Sequence, residues 1–216
     1  MKKYEVKIKE KIKILQKDKN IVDIINLRIK EFEENYGRGN TCWFKELCFC
    51  LLTANFKAQE SIEICSEENK TDAFTTCSLD DLSKFLKKQK HRFPNARAKY
   101  IFEARKYKSE IKNIITNFDD EKQAREWLVK NIKGLGYKES SHFLRNVGYK
   151  NVAILDRHIL NVLYENQIIS EIPKTPGKKR YLEIEKLLEK LANELDINLA
   201  KLDFYMWYMK TGKVLK

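Results

Sequence analysis

The stretch that decides the fold is "KGLGYKESSHFLRN", residues 133–146, which lies a little past the middle of the 216-residue chain. It places two glycines and a leucine in a short turn and then continues without another glycine or proline. The sequence before it has helical spacing that ends near Asn131, and a second helix is predicted over residues 138–147. The segment therefore predicts a helical hairpin.

The glycines of this turn suggest an anion site. Gly134 and Gly136 flank Leu135, whose apolar side chain is expected to anchor the turn between the two helices. Glycine permits positive φ angles and leaves backbone N–H groups uncovered, and such groups can hold an anion at a helix N-terminus. A DNA phosphate would be the natural occupant in a basic protein. Because ordinary helix–helix turns also contain glycine, the two glycines alone leave both interpretations open.

The charge balance favours a polyanionic partner. Lysine and arginine total 43 residues against 31 aspartates and glutamates, which gives a formal net charge of +12. Nucleic acid is the simplest partner for such a surplus. Lysine- and glutamate-rich compositions are also typical of heat-tolerant proteins, so charge alone does not establish DNA binding.

Several classes of protein are disfavoured. The five cysteines occupy positions 42, 48, 50, 65 and 77. They form no Cys-x-x-C pair and have no histidine cluster nearby, so neither a zinc site nor an iron–sulfur cluster is expected, and free thiols in a reducing compartment are the better interpretation. No signal-peptide pattern and no uncharged apolar run near ~18 residues is found. We therefore expect a cytoplasmic protein with no membrane partner.

The fold class is predicted to be all-α. Seven glycines and three prolines are few breakers for 216 residues, and apolar residues recur at helical spacing almost throughout, which suggests about ten helices. One such stripe is formed by Ile21, Ile24, Ile25 and Phe32. Loops are predicted at residues 36–41, 91–95, 133–137 and 170–179, the last being the clearest break because it holds two prolines and a glycine.

Lys138 is a candidate nucleophile. It lies in the first turn of the second hairpin helix, where the helix dipole disfavours a positive charge. His142 and Arg145 follow four and seven residues later, so all three are expected to share one helix face. Most lysines of so basic a chain are solvated surface residues, and the position alone does not exclude that role.

Asp156 is a candidate acid–base group. It follows four mostly apolar residues and precedes a helix predicted over residues 157–164, which is typical of an N-cap. A carboxylate at such a place could also take a proton from an amine or stabilise a cationic sugar in a transition state. Capping and catalysis are compatible.

The lysine and the aspartate together carry a family resemblance. The chain resembles the helix-hairpin-helix DNA glycosylase superfamily in two segments. These are the glycine hairpin with its lysine, residues 133–146, and "AILDRHI", residues 153–159. Within it the chain is similar to the archaeal-type 8-oxoguanine DNA glycosylase/AP lyase family. The narrower likeness rests on "ELCFCLLTANFKAQ" (46–59), "HRFPNARAKYI" (91–101) and "DFYMWYMKTGKVLK" (203–216).

The resemblance implies a fold and an activity. The fold would be two helical subdomains flanking an active-site cleft, within one unit of residues 1–216, with the hairpin at about 121–148 and the N- and C-terminal helices packing together as a second lobe. The activity would be excision of 8-oxoguanine through a lysine Schiff base, followed by strand nicking by β-elimination. No cofactor or metal would be needed. The partner would be double-stranded DNA containing oxidised guanine, bound by a monomer that is nucleoid-associated when on DNA.

The resemblance also assigns roles at the reacting centre. Lys138 would attack the sugar C1′, and Asp156 would accept a proton and stabilise positive charge. Trp207, nine residues before the end, would stack on the flipped base, and Lys216 with its terminal carboxylate would reach the same base pocket. Without the resemblance, a terminal lysine would be interpreted as a frayed tail and the apolar run around Trp207 as core.

Further residues are expected to contact DNA. Gly134 and Gly136 would bind phosphate, together with His142 and Arg145 on the helix that follows. Asn55 lies between two helical stretches, where the superfamily inserts residues into the gap left by the flipped base, although it could equally be a helix cap.

Arg97 is the last predicted DNA contact. It lies close to other basic residues and to an aromatic residue in "HRFPNARAKY", residues 91–100. Contact with a phosphate and an ordinary amphipathic surface are equally compatible with this pattern.

Three alternatives remain at this point. An oxidised-pyrimidine glycosylase/lyase of the same superfamily would keep Lys138 and Asp156 but would not need this C-terminus. A non-catalytic helix-hairpin-helix DNA-binding module would explain the charge and the hairpin but would need neither residue. A helical scaffold protein would show no salt-sensitive DNA binding.

Overall fold

The computed structural model describes the backbone of residues 3–215 and the side chains of residues 7–215. This part of the chain contains α-helices and one short 3₁₀ helix at Arg105–Tyr107, and it contains no strand. No helix in it is long and apolar enough to cross a membrane. The helices are α1 Lys3–Leu15, α2 Lys19–Gly37, α3 Asn40–Thr53, α4 Ala58–Glu68, α5 Ala73–Thr76, α6 Leu79–Lys88, α7 Pro94–Ala104, α8 Ile111–Thr116, α9 Glu121–Asn131, α10 Tyr137–Asn146, α11 Arg157–Glu165, α12 Lys178–Glu194 and α13 Leu199–Thr211.

The all-α prediction is confirmed, but the described residues form thirteen α-helices rather than about ten. The difference comes from short helices such as α5 and α8, which have four and six residues and so show no apolar periodicity. The loop predicted at residues 36–41 is also shorter than expected. Helix α2 continues through Gly37 and α3 begins at Asn40.

The chain folds as two compact units, whose boundaries fall after Glu33 and after Val147. The first unit combines the residues up to Glu33 with Gly148–Val214, and the second combines Glu34–Val147 with Leu215. The break predicted at residues 170–179 lies inside the first unit, where it is a mostly exposed loop before α12. Prolines and glycines therefore mark a loop there and not a boundary between units.

In the first unit, helices α11 and α13 pack against each other. The extended segment before α11 is held by two buried residues of α12. The Tyr181 hydroxyl donates to the carbonyl of Ala153 at 2.6 Å and accepts from the N–H of Leu155 at 3.3 Å. Glu185 accepts from the N–H of Ala153 at 2.8 Å. These three bonds fix the backbone that leads into Asp156.

The apolar stripe predicted for α2 needs one correction. Ile24 is 49% exposed, whereas Ile21, Ile25 and Phe32 are buried. The buried stripe therefore continues from Ile25 by a step of four residues to Ile29, which is the spacing of one helix face.

The second unit is built around α3. Trp43, Phe44 and every residue from Glu46 to Thr53 are buried, and α10 packs against both α3 and α9. The Trp43 ring contacts the Phe143 ring edge-on, with the ring centroids 6.0 Å apart. The indole N–H of Trp43 donates to the carbonyl of Asn35 at 3.0 Å. Helix α10 of the hairpin therefore packs against an aromatic core.

Candidate active site

The hairpin has the geometry that its sequence predicts. Helix α9 begins after Asp120, whose carboxylate accepts from the N–H of Lys122 at 3.0 Å, and it ends at Asn131. Leu135 is buried, which confirms it as the anchor of the turn. Helix α10 then begins at Tyr137, so Lys138 occupies its first turn.

Gly134 is required by both its backbone and its surroundings. Its φ angle is +95°, in a backbone region that residues other than glycine rarely adopt. A Cβ atom at this position would lie 2.4 Å from Cδ2 of Tyr100. The turn is further linked to α7 by an ion pair between Lys133 and Glu103 at 3.8 Å. Helix α7 thus supports the hairpin turn directly.

Glu139 organises the start of α10. Its carboxylate accepts from the N–H of Gly136 at 3.3 Å, which is one half of a capping box. The Lys138 amine lies 4.0 Å from the other carboxylate oxygen of Glu139. The Lys138 side chain is only 24% exposed. The predicted nucleophile is therefore partly shielded and has a carboxylate beside it.

His142 and Arg145 do not lie on an open surface. Both are buried, with 6% and 5% exposure. The ring of Phe49 contacts the His142 ring edge-on, with the ring centroids 5.6 Å apart. The Arg145 guanidinium donates to the amide oxygen of Asn146 at 3.2 Å. Residues 140–147 are buried without exception, because α10 is covered on nearly all sides. The structure gives these two side chains internal contacts, and their contact with DNA stays a prediction.

Asn55 forms the exposed tip of the turn between α3 and α4. Its φ angle is +58°, a left-handed conformation that asparagine tolerates better than most residues. Two buried residues hold the backbone just before it. His91 donates from Nε2 to the carbonyl of Leu52 at 3.0 Å, and the guanidinium of Arg97 donates to the carbonyl of Ala54. The loop therefore presents Asn55 from a fixed base.

Arg97 does not lie on an ordinary amphipathic surface, which is one of the two interpretations that its sequence allows. It is 7% exposed, and burial lowers the pKa of its guanidinium below the ordinary value. The group lies 5.7 Å from the ring centroid of Tyr100, and Glu139 acts on it electrostatically. Arg97 thus ties the Asn55 turn to the residues around the hairpin. Its contact with DNA stays a prediction.

His91 is expected to make the protein less stable as the pH is lowered. Burial lowers the pKa of the His91 ring below its ordinary value of 6.5, and its Nδ1 accepts from the N–H of Phe93 at 3.1 Å. As the pH falls below 6.5, the His91 ring of the unfolded chain binds a proton that the folded protein still excludes. The free energy of unfolding therefore decreases as the pH falls from 6.5 toward the lower pKa of the folded protein. Urea unfolding at about pH 7.5 and about pH 5.5 measures the effect. His91→Gln should show a smaller difference between the two pH values, and an equal difference would contradict the assignment.

Asp156 and Trp207 meet in the first unit. Asp156 caps α11, as predicted, because Oδ1 accepts from the N–H of Ile159 at 2.8 Å. Its other oxygen, Oδ2, accepts from the indole N–H of Trp207 at 3.3 Å. The His158 ring contacts Trp207 edge-on, with the centroids 5.6 Å apart. The structure therefore brings together a predicted catalytic group and a predicted pocket residue.

The neighbours of Trp207 on α13 are divided between core and surface. Phe204 is buried, as expected for core, while Trp207 and Tyr208 are partly exposed. Helix α13 ends at Thr211 and is followed by Gly212, which has a left-handed φ of +67°. Lys216, the second residue predicted for the base pocket, lies outside the described residues.

The five cysteines form no disulfide within the described part of the chain. Cys48 and Cys50 are buried, and the other three are partly exposed. Burial raises the pKa of the Cys48 thiol well above its ordinary value. Within the part of the chain that the structure describes, no three histidine, cysteine or acidic side chains converge as a metal site would require.

Three residues with clear roles at this site were not singled out from the sequence. Glu139 carried a usable signal, because a glutamate three residues after an N-cap is the capping-box pattern. Tyr100 and His91 carried no comparable signal, since their partners lie 34 and 39 residues away along the chain.

Comparison with known protein families identifies the relatives of this chain. The family model for 8-oxoguanine DNA glycosylase, of helix-hairpin-helix type, matches residues 25–197. A protein of Methanocaldococcus jannaschii named 8-oxoguanine DNA glycosylase/AP lyase is 54% identical over 200 residues, which cover 93% of this chain and 95% of the relative. A protein of Korarchaeum cryptofilum with the same name is 49% identical, and the coverage is 93% and 94%.

Solved structures agree with this assignment. The M. jannaschii 8-oxoguanine glycosylase/lyase in complex with a 15mer DNA containing 8-oxoguanine has a TM-score of 0.93 and 52% identity, covering 97% of this chain and 99% of the other. The 8-oxoguanine DNA glycosylase of Thermotoga maritima has a TM-score of 0.91 and 37% identity, with coverage of 98% and 100%. The all-α helix-hairpin-helix glycosylase fold is therefore confirmed, and this chain belongs to the 8-oxoguanine DNA glycosylase family.

Proposed function

We propose that this protein is a bifunctional DNA repair enzyme that removes 8-oxoguanine from double-stranded DNA and then cleaves the strand at the abasic site. Family membership supports this function, as do the close relatives named 8-oxoguanine DNA glycosylase/AP lyase. The observation that carries it is the position of Lys138, a shielded amine in the first turn of α10, directly after the glycine turn. A DNA-binding module without catalysis would not need an amine there.

The reaction begins with extrusion of the damaged nucleotide, because C1′ is inaccessible inside the base stack. The Lys138 amine attacks C1′, so that an N–C1′ bond forms while the bond from C1′ to the base breaks, and the base leaves with a proton. Opening of the sugar ring gives a protonated imine. Loss of a proton from C2′ then expels the 3′ phosphate, and water hydrolyses the imine to free Lys138. Asp156 accepts a proton and stabilises positive charge on the sugar.

The hairpin turn positions the DNA strand for this chemistry. Gly134 and Gly136 bring backbone N–H groups close to a phosphate at the N-terminus of α10. One of these donors, the N–H of Gly136, is used by Glu139 in the free protein. Glu139 also lies beside the Lys138 amine, so the carboxylate holds the turn and the nucleophile in a common arrangement before DNA binds.

Recognition of the base is assigned to Trp207 and Lys216. An aromatic face stacked on a base contributes about 1–3 kcal/mol and does not depend strongly on base identity. The lesion differs from guanine by an N7–H donor, so a buried acceptor facing N7 would be satisfied only by the lesion. Asn55 would fill the space that the flipped base leaves in the duplex.

The partner is therefore duplex DNA containing oxidised guanine, bound by a monomer in the cytoplasm, and the chemistry uses no cofactor. The net charge of +12 favours such a partner. The M. jannaschii neighbour was crystallised with DNA containing 8-oxoguanine, which supports the same substrate class for this chain.

The test is reductive trapping with borohydride, which converts an imine into a stable protein–DNA adduct. The wild-type protein is incubated with an 8-oxoguanine:C duplex, a thymine glycol:A duplex and an abasic-site duplex. The expected result is an adduct and strand cleavage with the first and third. An adduct with thymine glycol but not with 8-oxoguanine would replace the substrate and keep the mechanism. Salt-dependent binding to every duplex without any adduct would leave only a DNA-binding module.

A further inference from the structure

We propose that Trp207 is a positioning residue for Asp156. Its indole N–H fixes the orientation of the Asp156 carboxylate, so that the ring assigned to base stacking also aims the group assigned to proton transfer. This inference rests on the proposed function, because it gives Asp156 a part in the chemistry. It adds to Trp207 a role that does not depend on any base being present in the pocket.

Both oxygens of the carboxylate are engaged by donors within the first unit. Oδ1 accepts from the N–H of Ile159 at 2.8 Å, and Oδ2 accepts from Nε1 of Trp207 at 3.3 Å. A carboxylate held at one oxygen can still rotate about its Cβ–Cγ bond, whereas two donors on different elements define its plane. The cap to Ile159 is sufficient for starting α11. The second bond therefore contributes orientation and is not needed for capping.

The partners of this bond are themselves held in place. The segment before Asp156 is fixed by Tyr181 and Glu185 from α12, as described above. Trp207 contacts the His158 ring edge-on at 5.6 Å, and the carbonyl of Trp207 accepts from the Thr211 hydroxyl at 2.9 Å. The indole and the carboxylate are thus two side chains on packed helices that have little freedom to separate.

The choice of partner by the indole also supports the proposal. Indole has a single donor and no acceptor. Trp207 is partly exposed, so water could satisfy this donor, yet the donor points at the carboxylate. Because one edge of the ring is used for Asp156, its faces remain the part of the side chain that can stack on a base.

An abasic-site duplex separates positioning from stacking. Such DNA has no base for Trp207 to stack on, but its cleavage still needs the lysine and the carboxylate. Trp207→Phe keeps an aromatic face and removes the N–H. Loss of a hydrogen bond to a charged group corresponds to roughly a ten-fold or greater change in rate. We therefore expect Trp207→Phe to cleave abasic DNA about ten-fold more slowly than the wild type in single-turnover assays.

Two controls accompany this variant. Trp127→Phe makes the same substitution on α9 in the second unit and is expected to cleave abasic DNA at the wild-type rate. A chain with 3-benzothienylalanine at position 207, which has the shape of tryptophan but no N–H, should be as slow as Trp207→Phe. This analogue keeps the test valid if the smaller phenylalanine impairs folding.

Coupling to Asp156 is tested in a double-mutant cycle. In an Asp156→Asn background, Trp207→Phe is expected to cause little further loss, because both changes act through one group. If Trp207→Phe and the analogue cleave abasic DNA at the wild-type rate while 8-oxoguanine excision slows, the ring acts by stacking alone and the inference is wrong. If the wild type neither cleaves abasic DNA nor forms an adduct with it, the proposed function fails, and this inference fails with it.

Discussion

Replacing Lys138 with glutamine is expected to abolish both 8-oxoguanine excision and the borohydride-trapped adduct, with a loss of rate on the order of 10⁴-fold or more. Glutamine is one atom shorter than lysine and keeps a polar end, but its amide nitrogen cannot form an imine. Since the covalent step carries both base release and strand cleavage, both activities should fall together. Single-turnover assays on an 8-oxoguanine:C duplex measure the loss.

The matched control for this variant is Lys133→Gln. Lys133 lies in the same hairpin turn, but its side chain is 58% exposed, compared with 24% for Lys138. The Lys133→Gln substitution removes the same charge five residues before Lys138, so it should weaken DNA binding slightly and leave the adduct intact. Retention of the adduct by Lys138→Gln would mean that another amine is the nucleophile. DNA affinity measured in parallel shows whether either variant has lost binding and not chemistry.

Gly134→Ala is expected to lower the free energy of unfolding by about 3 kcal/mol, or the melting temperature by about 10 °C. A φ of +95° is unfavourable for alanine, and the new Cβ would lie 2.4 Å from Cδ2 and 2.9 Å from Cγ of Tyr100. Because Cγ is the first atom of the ring, the ring cannot simply swing away from the methyl group. Thermal unfolding followed by circular dichroism measures the change, and the displaced turn should also reduce activity on abasic DNA.

Two variants isolate the cause of this effect. Gly37→Ala adds a methyl group to an exposed glycine at the end of α2, where nothing lies within 4 Å, and should change stability little or raise it slightly. In a Tyr100→Ala background, Gly134→Ala should cost less, because the steric part is removed and only the backbone strain remains. An unchanged cost in that background would show that contact with Tyr100 is not the reason for this glycine.

Local features of the fold could be predicted from the sequence because their causes lie within a few residues. Asp120 and Asp156 each cap a helix through a backbone N–H two or three residues ahead. Gly212 ends α13 in a left-handed conformation. Leu135 anchors a turn between helices that the flanking residues already define. The boundaries of the hairpin therefore agree with the prediction to within one residue or so.

Contacts that depend on the tertiary fold could not be predicted in this way. Basic side chains on a helix are usually solvated, yet three of them are buried here, namely Arg97, His142 and Arg145. Their burial depends on which helix covers α7 or α10, and that information is not contained in helical spacing. The bond between Trp207 and Asp156 joins residues 51 positions apart. Each residue could be selected separately, but only the structure shows that they touch.

The burial of Cys48 and Cys50 has a consequence for the survival of the protein under the conditions that create its substrate. Peroxide and related oxidants attack the thiolate form of cysteine, and they reach it only where it is accessible. Cys48 is fully buried and its raised pKa keeps it in the thiol form, and Cys50 is fully buried as well. The two buried thiols of α3 are thus shielded from the agents that oxidise guanine, whereas Cys42, at the start of the same helix, is partly exposed.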